Sequence, residues 1–143
     1  MQIVSDSPVQ TQTLAANMAA KVRKESNAKA TVIALEGELG AGKTTFIQGF
    51  ARALGVDEKV KSPTFLLIKE FELDKGKLYH IDCYRINDPH ELILLGIEKI
   101  LSTPGNIILI EWSERIVPLL PQDRITIHIN HTGETSRLIT INP

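Results

Sequence analysis

The spacing of hydrophobic residues predicts a long helix near the start of the chain. Leu14, Met18 and Val22 recur every fourth residue, which places them on one face of a helix. Ser7-Pro8 precedes this stripe, and serine followed by proline is typical of a helix start. The pattern therefore predicts a first helix over about Pro8 to Lys24.

A buried strand, a glycine-rich turn and a second helix are predicted to follow in series. Thr31 to Leu35 is short, apolar and rich in β-branched residues, as buried strands are. It runs directly into a glycine-rich turn at Gly37 to Gly42. An apolar stripe then predicts a helix that stops at Gly55. The residues of this stripe are Phe46, Ile47, Phe50, Ala51 and Leu54.

Farther along, the pattern changes to strands, turns and one short helix. Phe65 to Glu72 and Leu78 to Tyr84 flank the turn residues Asp74 to Lys77, which predicts an antiparallel hairpin. Asp88-Pro89 then opens a short helix toward Leu95.

The last third of the chain predicts a buried strand and a terminal hairpin. Ile107 to Ile110 is a purely aliphatic run that ends at Glu111. Two segments of alternating isoleucines, over residues 125–129 and 139–141, flank the turn His131 to Glu134. Together with the preceding elements, they predict an α/β fold with a mixed parallel and antiparallel sheet and a C-terminal β-hairpin.

Composition narrows the class of protein without naming a function. The 143 residues, of which 43% are hydrophobic and 23% charged, are typical of one globular domain over residues 1–143. A net charge of −1 disfavours direct binding to nucleic acid by charge alone. Cys83 is the one cysteine, and no apolar leader or span of about 18 residues is present, so we expect a cytoplasmic protein without a membrane segment.

The glycine-rich turn carries the strongest chemical signal. It matches G-x-x-x-x-G-K-[ST] between a predicted strand and a predicted helix, the setting in which this motif binds nucleotide phosphates. The backbone N–H groups and the helix N-terminus would hold the anion, while Lys43 would reach the outer phosphates and Thr44 a Mg²⁺ ion. The next residue, Thr45, would reach an inner phosphate. The motif residues are Gly37, Glu38, Leu39, Gly40, Ala41, Gly42, Lys43 and Thr44.

A carboxylate must complete such a magnesium site. Glu111 is our first candidate, because it follows a buried strand. Asp82 is the second, because alternation places it on one strand face with His80 and Tyr84. Asp82 would polarise the attacking water or lie in the outer metal shell; the alternative is that it only holds His80 or a backbone group. A zinc site at His80 and Asp82 is disfavoured, since further ligands at short spacing are missing.

Other motifs help to choose among nucleotide-binding classes. The chain has neither a D-x-x-G switch nor an N-K-x-D guanine-reading element, so ATP, with its product ADP, is the expected nucleotide. A small-molecule kinase is the weaker reading, because the arginines are scattered and the segment after Gly55 is short for a lid. A nucleotide-gated binding module whose hydrolysis is incidental is a third possibility.

Taken together, the ordered motifs resemble those of the TsaE (YjeE) family, small bacterial ATPases needed for threonylcarbamoyladenosine modification of tRNA beside the anticodon. The resemblance extends over nearly the whole chain, with departures at Leu66, where threonine is frequent, and Ser113, where proline is frequent. The matching segments are Gly37 to Thr45, Lys61 to Phe65, His80 to Arg85, Asp88 to Leu92 with Gly96, and Ile110 to Glu114.

The resemblance implies a fold, a site and partners. The fold would be a P-loop NTPase-like three-layer sandwich with a mixed sheet. Lys43 would grip the phosphates of ATP or ADP, and Thr44 and Glu111 would hold Mg²⁺. The protein would bind TsaB and TsaD, meet tRNA only through them, and reset their complex by ATP hydrolysis.

Four further residues are assigned by the resemblance or by hypothesis. Thr13 aligns with a threonine that approaches the nucleotide base. Thr64, in a proline-containing turn, is a candidate γ-phosphate sensor, although the turn is equally read as an ordinary loop. Trp112 would lie near the site and report nucleotide binding, although a core position is the common role of such a residue. Arg85 belongs to a family motif, with a surface salt bridge as the alternative.

Overall fold

A seven-stranded sheet with helices on both faces forms the protein. The computed structural model describes residues 1–25, 28–38, 40–56 and 67–143. The strands are β1 (Gln2–Ser5), β2 (Thr31–Glu36), β3 (Ile68–Glu72), β4 (Lys77–Asp82), β5 (Ile107–Glu111), β6 (Ile125–His131) and β7 (Arg137–Asn142). The helices are α1 (Pro8–Glu25), α2 (Lys43–Ala53), α3 (His90–Ile93), α4 (Ile97–Ser102) and a 3₁₀ helix (Ser113–Leu119).

The central strands run parallel, and antiparallel strands close both sides. The order across the sheet is β1-β7-β6-β2-β5-β4-β3. Strand β2 pairs in parallel with β5 and β6, and β5 pairs in parallel with β4. The β3–β4, β6–β7 and β1–β7 pairs are antiparallel. This arrangement brings the carboxyl ends of β2, β5 and β4 to one edge of the sheet, where α/β proteins hold their ligands.

Two hydrophobic cores separate the layers. On one face of the sheet, α1 and α2 pack over apolar residues that include Ile33, Leu109 and Ile127. On the other face, α3, α4 and the 3₁₀ helix cover a second cluster that includes Ala34 and Ile110. Adjacent apolar residues of β2, β4 and β5 alternate between the two cores, as the strand period of two requires. The predicted α/β three-layer sandwich with a mixed sheet and a C-terminal hairpin is confirmed.

The observed elements follow the hydrophobic pattern closely. The first helix ends one residue beyond its predicted limit, and α2 is followed by Gly55 with a φ of +88°. The hairpin around residues 74–77 is present, although Phe65 and Leu66 lie outside the described residues. Strand β4 ends at Asp82 rather than at Tyr84, because the Asp82 carboxylate accepts a hydrogen bond from the Tyr84 N–H and turns the chain.

Three elements lack a prediction from the sequence. Strand β1 has only four residues and pairs with β7, at the other end of the chain. Helix α4 begins after Gly96 and has six residues, so its apolar spacing is too short to read. The 3₁₀ helix contains Pro118 and has no 3.6-residue stripe. Among the described residues, no helix is long and apolar enough to cross a bilayer.

Candidate nucleotide site

The loop between β2 and α2 requires glycine at two of its motif positions. At Gly37, with a φ of +143°, an added Cβ would lie 2.3 Å from the Ile129 carbonyl oxygen. Gly42 precedes α2 with a φ of +105°, in the left-handed region that glycine adopts without strain. The loop therefore has the tight, helix-entering backbone that the sequence motif predicts.

Lys43 is the first residue of α2 and folds back over the loop. Its ammonium donates to the carbonyl oxygens of Gly37 and Glu38, the latter at 3.2 Å. It also lies 4.0 Å from the centre of the Trp112 ring, a cation–π contact. Burial lowers the pKa of Lys43, and the carboxylates of Glu111, Glu114 and Asp82 oppose that shift. The positive charge of Lys43 is thus stabilised by two backbone carbonyl dipoles, the Trp112 ring and the nearby carboxylates.

Thr44, Glu111 and His80 form a continuous hydrogen-bonded chain beside Lys43. The Thr44 hydroxyl donates to Glu111 Oε1 at 3.3 Å. The other oxygen of Glu111, Oε2, lies 2.7 Å from His80 Nε2. Glu111 is 3% exposed and His80 is 0% exposed, so a carboxylate and an imidazole meet inside the protein. Sequence reasoning had nominated Thr44 and Glu111 together, and the structure brings them into contact.

Asp82 lies beside Glu111 at the ends of neighbouring strands. The parallel register of β4 and β5 places Asp82 opposite Glu111. Its Oδ1 accepts a hydrogen bond from the Tyr84 N–H at 2.9 Å. His80 contacts Glu111, and Asp82 contacts a backbone N–H, so the roles of Asp82 toward the water, the metal shell and His80 stay predictions.

Trp112 forms an aromatic wall of the same cleft. It follows Glu111 and adopts a φ of 57° and a ψ of 42°, the one positive φ among the described non-glycine residues. A bulky side chain in this region is a local strain, and such strain is concentrated at functional sites. The Tyr84 ring lies 5.1 Å from the Trp112 ring, and the Arg115 guanidinium lies 5.9 Å from it. Trp112 therefore lines the cleft and also packs against the core on the α3 face.

These groups line one cleft of about 310 Å³ at the carboxyl edge of the parallel strands. Its lining residues are Gly40, Gly42, Lys43, Thr44, Thr45, Asp82, Tyr84, Glu111 and Trp112. A larger cavity of about 600 Å³ lies near the start of β2, around Thr31 and Val32, and is lined mostly by apolar side chains. We assign the chemistry to the smaller cleft because the convergent charged groups are there.

Two supporting features were missed from the sequence. Arg137, on β7, donates from Nε to the Ala41 carbonyl at 3.1 Å and so connects the loop to β7. Glu114 follows Trp112 in the chain, and burial together with the Glu36 charge raises its pKa. Arg137 lies 96 residues from its partner, and no local pattern indicates such a contact.

The remaining predicted residues lie partly apart from the cleft. Thr13 is exposed on α1, and its hydroxyl donates to the Val9 carbonyl at 2.9 Å, so it makes no hydrogen bond to the described part of the loop. Leu39 and Thr64 lie outside the described residues, as does the whole Lys61 to Phe65 motif. The assignment of Thr13 to the nucleotide base stays a prediction, as does that of Thr64 to the γ-phosphate. Arg85 is exposed just beyond β4.

The fold and the cleft define a class: an α/β protein with a glycine-rich loop between a strand and a helix and a buried carboxylate beside it. The chain also matches the family model described as threonylcarbamoyl adenosine biosynthesis protein TsaE over residues 5–139. It belongs to the TsaE family, which is involved in the biosynthesis of threonylcarbamoyladenosine in tRNA.

Individual relatives support this assignment. The chain is 46% identical over 109 residues to the tRNA threonylcarbamoyladenosine biosynthesis protein TsaE of Bacillus subtilis. That alignment covers 76% of this chain and 67% of the Bacillus protein. The Haemophilus influenzae protein of the same name is 42% identical over 110 residues, with 77% and 69% covered. The crystal structure of Bacillus subtilis YdiB superposes with a TM-score of 0.78 at 36% identity, over 99% of this chain and 83% of that one.

Proposed function

We propose that this protein is a Mg²⁺-dependent ATPase that serves threonylcarbamoyladenosine modification of tRNA next to the anticodon. Its hydrolysis of ATP would reset a TsaB–TsaD complex between turnovers. The observation that carries the proposal is the contact between the Thr44 hydroxyl and the Glu111 carboxylate, directly behind a G-x-x-x-x-G-K-T loop. A hydroxyl at the start of this helix and a carboxylate at the end of a neighbouring strand are the protein ligands that a nucleotide-bound Mg²⁺ uses.

The donor set fits magnesium. Thr44 Oγ1 and Glu111 Oε1 are hard oxygen donors 3.3 Å apart at the cleft, and Mg²⁺ prefers oxygen ligands with several waters retained. Asp82 lies opposite Glu111 in the strand register and would lie in the outer shell of the ion. Bound Mg²⁺ would neutralise charge on the β- and γ-phosphate oxygens.

The loop and Lys43 would bind the phosphates. The ammonium is held by carbonyl oxygens of Gly37 and Glu38, which are weak partners compared with a phosphate. Nucleotide binding would exchange these contacts for charge-assisted bonds to the outer phosphates. Because Lys43 also contacts the Trp112 ring, this movement would change the surroundings of the one tryptophan.

Hydrolysis needs a positioned water in the same cleft. Asp82 is half-buried, and one of its oxygens is occupied by the Tyr84 N–H. A carboxylate in this place would orient the water whose oxygen attacks the γ-phosphorus while ADP leaves. Asp82 is therefore the residue that we assign to the water, and Lys43 and Glu111 are assigned to the phosphates and the ion.

Family membership and net charge support the proposed partners. With a net charge of −1, the chain has no overall basic field to attract tRNA. Contact with tRNA would therefore be made through TsaB and TsaD, which this chain would serve as the energy-consuming subunit. A small ATPase that depends on partners in this way is expected to turn over slowly when it is alone.

The test is the steady-state rate of phosphate release from ATP, measured for the purified protein alone and with TsaB and TsaD, with GTP as the control nucleotide. The proposal predicts a low rate alone, a strong rise with both partners, and no rise in EDTA. A rate that the partners leave unchanged would overturn the resetting role. A rate that is equal in Mg²⁺ and EDTA would overturn the site assignment.

A further inference from the structure

His80 lies behind the cleft and contacts the carboxylate of Glu111. It is fully buried on β4 and does not line the cleft, whereas Glu111 does. Because carboxylate oxygens only accept hydrogen bonds, Nε2 carries a hydrogen and donates it to Glu111 Oε2 at 2.7 Å. The ring therefore contacts one oxygen of the carboxylate, while the other oxygen accepts a hydrogen bond from Thr44.

The position of His80 is not explained by packing alone. Its second ring nitrogen, Nδ1, is buried and has no hydrogen-bond partner among the described residues. Burying a polar atom without a partner is unfavourable, and a leucine of comparable size would avoid that penalty. The fold thus tolerates an unfavourable Nδ1 to keep a donor at Nε2.

The hydrogen bonds that Glu111 accepts from Thr44 and from His80 differ in strength. The bond from Thr44 to Oε1, at 3.3 Å, is long for a hydroxyl donor. The bond from His80 to Oε2 is short and lies where no water competes. Because the short bond is made to the other oxygen, it fixes the rotation of the carboxylate and hence the place of Oε1.

We propose that His80 is a positioning residue of the magnesium–nucleotide site. Its Nε2–H holds one oxygen of Glu111 so that the other faces Thr44 and the metal. Groups that orient a metal ligand in this way are worth about 10- to 100-fold in metal affinity. The proposal rests on the magnesium role given to Glu111 under the proposed function.

The test is the affinity for ADP, measured by titration calorimetry over a series of MgCl₂ concentrations and in EDTA. In His80→Leu we expect the Mg²⁺ concentration for half-maximal enhancement of ADP binding to rise about 10- to 100-fold. ADP binding in EDTA is expected to stay at the wild-type level, because His80 does not contact the nucleotide cleft. His80→Gln, whose amide can place a donor near the Nε2 position, is expected to recover most of the Mg²⁺ affinity.

Two other variants separate positioning from general damage to β4. His80→Asn keeps a polar side chain but is too short to reach Oε2, so it is expected to shift the Mg²⁺ requirement even if the leucine variant folds poorly. Tyr79→Leu changes the neighbouring buried position, whose side chain packs on the opposite face of the sheet. It is expected to keep the wild-type Mg²⁺ requirement, with circular dichroism and melting curves recorded for every variant.

The outcomes distinguish this proposal from the one on which it rests. If wild-type ADP binding depends on Mg²⁺ and folded His80→Leu and His80→Asn keep the same requirement, the positioning role is overturned alone. The same holds if Tyr79→Leu shifts the requirement as much as the His80 variants do. If ADP binding to the wild type ignores Mg²⁺, the proposed function and this inference are overturned together.

Discussion

The two faces of the central strands bury different kinds of side chains. Beside its apolar core, the face toward α2 buries charged and polar side chains next to each other: Lys43, His80 and Glu111 are each 5% exposed or less. The face toward α3 and α4 buries aliphatic residues such as Ile108 and Ile110. Strand β4 contains the contrast in successive residues, since His80 belongs to the first face and Ile81 to the second.

The contrast shows how the fold separates stability from chemistry. Apolar burial stabilises the protein in proportion to the area removed from water, and it does not depend on one particular partner. A buried charge is tolerated only where partners are arranged around it, and those partners are the groups that a phosphate and a metal ion use. Substitution of the charged groups on the α2 face should therefore change function, whereas substitution of an apolar core residue under α3 should change stability.

The largest effect is expected from removing a charge on the α2 face. Lys43→Ala and Glu111→Ala should each lower the rate of ATP hydrolysis about 100- to 1000-fold, the usual loss when a group that stabilises transition-state charge is removed. Phosphate release measures the rate, and far-UV circular dichroism reports whether the fold is kept. Lys75→Ala, in the exposed β3–β4 turn, is the matched control and should keep the wild-type rate. Retained turnover in both site variants would overturn the assignment.

A change on the opposite face should reverse this pattern. Leu92 is fully buried in the core under α3, so Leu92→Ala should lower the free energy of unfolding by about 2–5 kcal/mol. Urea denaturation measures that loss, and the hydrolysis rate per folded molecule should change little. Leu94, two residues along and 87% exposed, provides the matched control, since Leu94→Ala should change stability by under about 0.5 kcal/mol. If Leu92→Ala lowered the hydrolysis rate per folded molecule as much as Lys43→Ala does, the proposed difference between the two faces would be contradicted.

Cys83 shows how burial on the α3 face changes the pKa of a titratable group. Burial raises the pKa of its thiol to about 12, from 9.0, so the folded state keeps the proton to higher pH than the unfolded state. The stability contributed by the neutral thiol should therefore be complete below about pH 9 and be lost as the pH rises from 9 to 12. Urea denaturation at pH 8 and pH 10 measures this, with Cys83→Ala as the reference, and the wild type should lose more stability than the variant. An equal loss in both proteins would contradict the shift.

The smallest effect is expected from an ion pair that lies on the surface. Arg23 and Asp74 are 2.9 Å apart, but their side chains are 52% and 87% exposed. A double-mutant cycle with Arg23→Ala and Asp74→Ala should give a coupling of about 0.2–1 kcal/mol, which decreases as salt is added. A larger, salt-insensitive coupling would mean that burial is not what separates the site charges from the surface charges.

Much of this organisation was predictable from local sequence. The glycine loop, the strand before it and the helix after it carry their signals within 25 residues, and Glu111 stands out because it ends an aliphatic run. Alternation along β4 correctly put His80 and Asp82 on one face. Local patterns of this kind are set by the periods of strand and helix, which do not depend on the rest of the fold.

The contacts that complete the site could not be predicted in the same way. The His80–Glu111 bond depends on β5 lying next to β4, and the sequence does not show the order of strands. The positive φ of Trp112 is imposed by its surroundings, because a tryptophan has no intrinsic preference for it. Strand β1 forms through pairing with β7 across almost the full length of the chain. Each of these features is a product of tertiary structure.

The most direct test of the nucleotide site uses the fluorescence of Trp112, the one tryptophan of the chain. Because the Lys43 ammonium lies 4.0 Å from the Trp112 ring, its movement onto phosphates should change the emission. Titration with Mg-ATP should therefore give a saturable change in the wild type and none at the same concentrations in Lys43→Ala. An unchanged emission in the wild type at saturating nucleotide, or an equal change in Lys43→Ala, would contradict a phosphate site built around Lys43.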